Sequence, residues 1–148
     1  MTDQAGLAAP CGIHCGFCLL NKALSDEKLR DTLSQRMNVP PEKATCTGCR
    51  AVIGHCPVIG EQCATYVCAQ EKGVEFCCDC NEFPCSKLQP CSDRAERLPH
   101  NIKIYSLCLR KQQGEKVWNQ KIGEAYSLYF GGEMKIGRGP FPKKKTDV

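Results

Sequence analysis

Apolar residues keep helical spacing in only a few stretches of this chain. From Ser25 to Met37 the string SDEKLRDTLSQRM places Leu29, Leu33 and Met37 at i, i+4 and i+8, behind a serine N-cap and acids in the first turn. This pattern predicts a short amphipathic helix. Asn38-Val39-Pro40-Pro41 stops it, because the first proline disfavours helical geometry in the residue before it. After Pro99, Ile102, Tyr105 and Leu109 keep helical spacing, and from Glu115 the residues Trp118, Ile122, Tyr126 and Phe130 follow at i+4 steps up to Gly131-Gly132. Two helices are expected there, with the aromatic stripe covering the rest of the molecule. Gly123 interrupts the second at a cost of roughly 1 kcal/mol relative to alanine.

Between Cys46 and Cys91 neither the helical nor the strand period persists. Gly48, Gly54, Gly60 and Gly73 and Pro57, Pro84 and Pro90 punctuate the segment, as expected of loops wrapped around ions. From Pro40 to Cys91 the 52 residues hold only ten of the types Leu, Ile, Val, Met, Phe, Tyr and Trp. Burial of so few cannot offset the entropy of ordering the stretch. Cysteine changes the picture, with 14 in 148 residues. Disulfides or thiolate-bound metal can supply the missing cohesion, and the compartment decides between them. The segment Met1–Leu20 lacks a basic start and is broken by Pro10, Gly12, His14 and Gly16, unlike a secretory leader. A cytoplasmic protein with reduced cysteines, and therefore metal, is expected. No apolar run approaches the roughly 20 residues of a membrane span.

Charge is divided unequally. Residues 1–91 carry 8 basic and 10 acidic side chains, and 92–148 carry 12 and 6. Thirteen of the cysteines lie in the first part, which is read as a metal-binding unit over 1–91. Residues 92–140 form the helical, basic remainder of the same domain, and 141–148 a disordered basic tail. The expected fold is a small, metal-organised, irregular cysteine-rich domain with a few short α-helices and a C-terminal helical pair packed on it.

The spacing Cys11-x3-Cys15-x2-Cys18 puts three thiols within eight residues. Three ligands on one loop suit the spread corners of an iron–sulfur cubane, whereas structural zinc more typically takes two from each of two Cys-x2-Cys hooks. Downstream come Cys46-x2-Cys49, Cys63-x4-Cys68 and Cys77-x2-Cys80-x4-Cys85. Cys77 is preferred over the adjacent Cys78, because two neighbouring side chains do not readily face one ion. Cys108 reads as a buried, inert thiol, while Cys56 and Cys91 stay open. His14 and His55 adjoin ligand cysteines, yet a neutral surface imidazole is the commoner fate of such residues. Ten thiols with little histidine are soft donors that admit zinc or iron–sulfur clusters and disfavour magnesium or calcium. No Gly-x-Ser-x-Gly, Walker loop or thioredoxin-like frame is present, so conventional catalysis has no support.

The strings CGIHCGFC, SDEKLRDTLSQ, CTGCR, CPVIGEQCATYVCAQEKGVEFC, CDCNEFPC and LPHNIKIYSLCLRKQQGEKVW together resemble the domain of unknown function 3795 family. The match to its grammar falls on Cys11, Cys15, Cys18, Cys46, Cys49, Cys63, Cys68, Cys77, Cys80 and Cys85. The resemblance implies a small bacterial or archaeal metal-binding protein and carries no agreed activity. The expectation is a cytoplasmic iron–sulfur protein, with 4Fe-4S-type clusters, that passes electrons to a redox partner or senses redox state. The rival is a structural zinc module that binds a protein partner. Nucleic acid is the weaker partner, since Trp118, Tyr126 and Phe130 read as packing residues.

Overall fold

The computed structural model describes residues 4–143. Its elements are few and short apart from one long helix: α1 (Leu19–Lys22), α2 (Glu27–Met37), α3 (Ala64–Glu71), α4 (Lys103–Gly131), and an antiparallel hairpin of β1 (Gly132–Lys135) and β2 (Gly139–Pro142). Single 3-10 turns join them, including Cys15–Phe17, Cys77–Asp79 and Pro99–Ile102. Among the described residues no helix is long and apolar enough to cross a membrane.

The helix foreseen from Ser25 is α2, but its N-cap is Asp26, whose carboxylate accepts the Leu29 N–H at 3.0 Å. Ser25 instead donates its hydroxyl to the Lys22 carbonyl at the end of α1. The shift follows from Lys22–Ser25 being taken up by the preceding turn, which leaves aspartate as the next good cap. Asn38 closes α2 in the left-handed conformation (φ 52°, ψ 49°), and the Ser34 hydroxyl holds the Val39 carbonyl at 2.6 Å. Leu33 then buries with Leu20, Ala23 and Ala44 in a small core that Cys18 and Cys46 flank.

The two expected C-terminal helices are the two arms of α4. Gly114 breaks them apart with φ 79° and ψ 169°, a conformation that costs glycine little. Ile102, Leu107, Leu109, Trp118, Ile122 and Tyr126 bury against Ala8, Phe76, Cys78 and Leu88, so one core is built from both halves of the chain. Two members of the expected stripes lie outside it: Tyr105 is 57% and Phe130 47% exposed. Tyr105 loses to Ser106 and Leu107, which face the cysteine loop. Phe130 sits where the helix ends and the hairpin begins. A Cβ at Gly123 would lie 3.4 Å from the Phe17 ring, an ordinary contact, so packing does not require glycine there.

One relay ties the long helix to the first cysteine loop. Trp118 Nε1–H donates to Ser106 Oγ at 2.9 Å, and the Ser106 hydroxyl donates to the Gly12 carbonyl at 2.6 Å. Gly12 has φ 88°, and a Cβ on it would fall 2.7 Å from Leu107 Cγ and 2.9 Å from the Lys103 carbonyl. Only glycine lets the loop approach this closely. The chain end differs from the basic tail expected from residue 141. Phe141 and Pro142 belong to β2, with Phe141 opposite Glu133, and residues 144–148 lie outside the described residues.

Candidate metal centre

The cysteine segments are joined to one another by backbone hydrogen bonds rather than by regular elements. Cys46 N–H donates to the Leu20 carbonyl at 3.0 Å, and Asn21 Nδ2 donates to the Cys46 carbonyl at 2.9 Å, which lays the CTGC turn beside Cys18. Gly54 is a second hub. Its N–H donates to the Cys49 carbonyl, and its own carbonyl accepts from both Cys56 and Cys63. At φ 78° a Cβ here would sit 2.9 Å from the Tyr66 side chain of α3, so the hub closes only with glycine. Cys77 N–H donates to the Pro10 carbonyl at 2.8 Å, which brings the third hook to the first loop. Arg50 completes the frame: Nε donates to the Ala8 carbonyl, Nη2 donates to the Glu75 carbonyl, and the guanidinium lies 5.0 Å from the Phe76 ring centre. The arginine of the CTGCR string is therefore a strut.

Backbone N–H groups point at the sulfurs. Cys49 N–H donates to Cys15 Sγ at 3.3 Å and Glu82 N–H to Cys80 Sγ at 3.4 Å. The backbone N–H groups of Ile13, Leu20, Gly48 and Val58 also favour the thiolate forms of Cys11, Cys18, Cys46 and Cys56 respectively. At five cysteines the N–H two residues onward acts on the sulfur, by a hydrogen bond at Cys80 and by its dipole at Cys11, Cys18, Cys46 and Cys56. Such donors stabilise a thiolate and tune a bound metal.

Burial opposes that charge. It pushes the Cys15 thiol up to about 11, and those of Cys49 and Cys77 up to about 12, with neighbouring sulfurs adding to the rise. Those neighbours map the assembly. Cys15 has Cys11, Cys18 and Cys56 within electrostatic reach; Cys49 has Cys11, Cys15, Cys63 and Cys56; Cys77 has Cys11, Cys85 and Cys68. Cys46 and Cys56 act on each other directly, which raises the Cys46 thiol and lowers that of Cys56. At the far end Cys68, Cys77, Cys80 and Cys85 line one small cavity of about 30 Å³ together with Lys72 and Lys87. Among the described residues no three His, Cys, Asp or Glu side chains meet closely enough to hold a single metal ion.

The ten cysteines named from spacing accordingly fall along one connected belt. Cys15, Cys18 and Cys46 stand at one end, Cys68, Cys77, Cys80 and Cys85 at the other, and Cys11, Cys49 and Cys63 between. Cys56 joins the first end, although spacing left it open. Its legible signal is Pro57, which starts a tight turn in which Ile59 N–H donates to the Cys56 carbonyl at 3.0 Å. Cys78 is 2% exposed and belongs to the hydrophobic core, away from the belt that its neighbour Cys77 faces. Cys108 is half-buried, and Cys91 is exposed.

His14 is not the surface imidazole expected. It is 4% exposed, with ring centres of Phe17 and Trp118 at 5.1 and 5.4 Å, and burial pushes its pKa down. Nδ1 accepts the Gly16 N–H at 3.2 Å, while Nε2 is buried with no partner. The His14 backbone N–H donates to the Tyr126 hydroxyl at 2.9 Å, which ties the CGIHCGFC loop to α4. His55 is exposed.

No curated protein and no solved structure matches the chain. The sequence profile described as a protein of unknown function (DUF3795) matches residues 7–90, the stretch that holds the whole belt and more than half of the chain. The chain belongs to the DUF3795 family.

Proposed function

We propose that this protein is a small iron–sulfur protein with an electron-transfer or redox-sensing role, in which the bound clusters also organise the loops. The observation that carries the reading is the recurrent N–H donation into cysteine sulfurs by segments that have little core of their own. A thiol in an ordinary core needs no such donors, whereas a thiolate on a metal does. The donor set is all sulfur, which suits a soft metal. Cys15, Cys18, Cys46 and Cys56 would hold one cluster, and Cys68, Cys77, Cys80 and Cys85 a second. When bound, such groups accept and release single electrons. The chain's own part is to desolvate them, to donate N–H groups to their sulfur ligands, and to present a surface for exchange. The exposed apolar residues Leu19, Ile53, Val58 and Ile59, which lie next to or within three residues of Cys18 and Cys56, would meet the redox partner.

The second reading is a structural zinc module that binds a protein or, less favoured, a nucleic acid. Its support is that Cys68, Cys77, Cys80 and Cys85 line one small cavity, a four-sulfur set of the kind structural zinc takes. Protein purified without oxygen separates the two. Iron and acid-labile sulfide, with a brown colour bleached by dithionite, support the cluster reading. A colourless protein with stoichiometric zinc that cannot be reconstituted with iron and sulfide replaces it by the zinc reading.

A further inference from the structure

The hairpin that follows α4 presents a face that nothing else in the molecule covers. In its register Gly132 pairs with Pro142 and Met134 with Pro140, so these four residues share one side, and Glu133, Lys135, Gly139 and Phe141 share the other. Gly139 and Phe141 are half-buried, whereas Met134, Pro140 and Pro142 are exposed. The outward side of the ribbon is therefore apolar. Met134 is 67% exposed, and two residues on, in the turn, Ile136 is 99% exposed. Arg138 N–H donates to the Lys135 carbonyl at 3.0 Å and Gly137 takes φ 82°, so a tight turn holds Ile136 at the tip between Lys135 and Arg138.

Charge decides what can cover this face. Residues 131–148 carry five basic side chains, Lys135, Arg138, Lys143, Lys144 and Lys145, against Glu133 and Asp147. Among the described residues Lys135, Arg138 and Lys143 have no ion-pair partner. An aliphatic tip flanked by unneutralised cations fits a surface that is anionic outside and apolar beneath. Pro140 and Pro142 remove N–H donors from β2, which disfavours growth of the ribbon by a further strand. The outward side carries no aromatic side chain, so it offers bases nothing to stack on. We propose that the β1–β2 hairpin docks the protein on anionic lipid bilayers, with Ile136 and Met134 entering the headgroup layer and Lys135, Arg138 and Lys143 held at the lipid phosphates. Docking of this kind combines apolar insertion with positive charge and needs no membrane-spanning helix. It holds whichever metal the belt takes.

The test uses the full, metal-loaded chain and its sedimentation with vesicles of phosphatidylcholine, with or without phosphatidylserine. Binding is expected only where phosphatidylserine is present, and it should weaken as salt is raised. Lys135→Gln together with Arg138→Gln should lower the partition coefficient about 30-fold, at about five-fold for each cation near the surface. Ile136→Glu should lower it at least about ten-fold, while metal content and circular dichroism stay unchanged because the side chain packs on nothing. Ile136→Trp reports insertion directly: its emission should shift to the blue on the anionic vesicles, against the constant background of the buried Trp118. Absence of vesicle binding overturns the proposal. Binding that ignores Ile136→Glu overturns it too, since the contact would then be charge alone. Tighter binding to duplex DNA or to RNA than to the vesicles, at one salt concentration, would make a nucleic acid the occupant and likewise overturn it.

Discussion

The cysteine belt and the long helix it rests on are held together by opposite means. In α4 the contacts are those of an ordinary core: Trp118, Ile122 and Tyr126 are each under 5% exposed and meet Phe76 and Leu88 from the other half of the chain. In the belt, eleven cysteines are only half-buried, and the joins are single backbone hydrogen bonds between turns. The helix needs nothing beyond its own packing. The belt concentrates thiols and N–H donors at points where burial alone penalises charge, so on the proposed reading a bound cation would stabilise it. Removing that cation, or the packing beneath it, separates the two halves of the argument.

The largest effect is expected from the ligands. Serine at Cys15, Cys46 or Cys56 should release metal and lower stability by several kcal/mol, set against apparent binding energies of about 10–16 kcal/mol for structural zinc sites in small domains. Metal content and thermal unfolding measure it. Cys56 is the sharpest member, since only the fold places it with the others. If Cys56→Ser keeps full metal, the first four-sulfur set is wrongly drawn. Cys78→Ser should instead cost about 1–3 kcal/mol by burying a hydroxyl in the apolar core, with metal unchanged. Loss of metal in that variant would place Cys78 in the belt and undo the separation from Cys77.

Trp118→Ala comes next, at about 3–5 kcal/mol. It deletes a buried ring and leaves Ser106 without the donor whose relay reaches the first cysteine loop. Chemical denaturation of the metal-loaded protein reads the cost. Should helix and metal signals be lost in separate transitions, the two regions do not share the core that joint packing of both halves would impose, and the comparison becomes one of independent units. Gly12→Ala tests the same junction from the loop side. A methyl 2.7 Å from Leu107 Cγ, on a residue at φ 88°, should cost about 1–3 kcal/mol and slow metal uptake. A neutral outcome would show that loop and helix are not closely apposed in solution.

The same contrast explains what the sequence disclosed. Periodicity is a property of a packed face, so α2, the two arms of α4 and the Trp118-Ile122-Tyr126 stripe were legible. Spacing is a property of hooks, so ten belt positions could be named. The rest depended on the third dimension. Cys56 has no Cys-x2-Cys partner and joins the belt through Gly54 and Pro57. His14 looked like a surface neighbour of ligands, yet the aromatic side chains that bury it come partly from residues more than a hundred positions away. The hairpin after Gly131 carried too short a pattern to separate it from the helical part read up to residue 140 and the basic tail read from 141.

The smallest effect is local to α2. Asp26→Ala removes the carboxylate that accepts the Leu29 N–H and should cost about 1 kcal/mol, whereas Ser25→Ala should stay within about 0.5 kcal/mol because that hydroxyl only bonds the end of α1. Leu33 anchors α2 in the small core that Cys18 and Cys46 flank. The cap therefore also reports how the belt is supported. If metal organises the loops, Asp26→Ala lowers the thermal midpoint while metal content stays constant. If instead α2 packing holds Cys18 and Cys46 in place, metal affinity falls with the cap, and the helix rather than the cation is the organising element at this end of the belt.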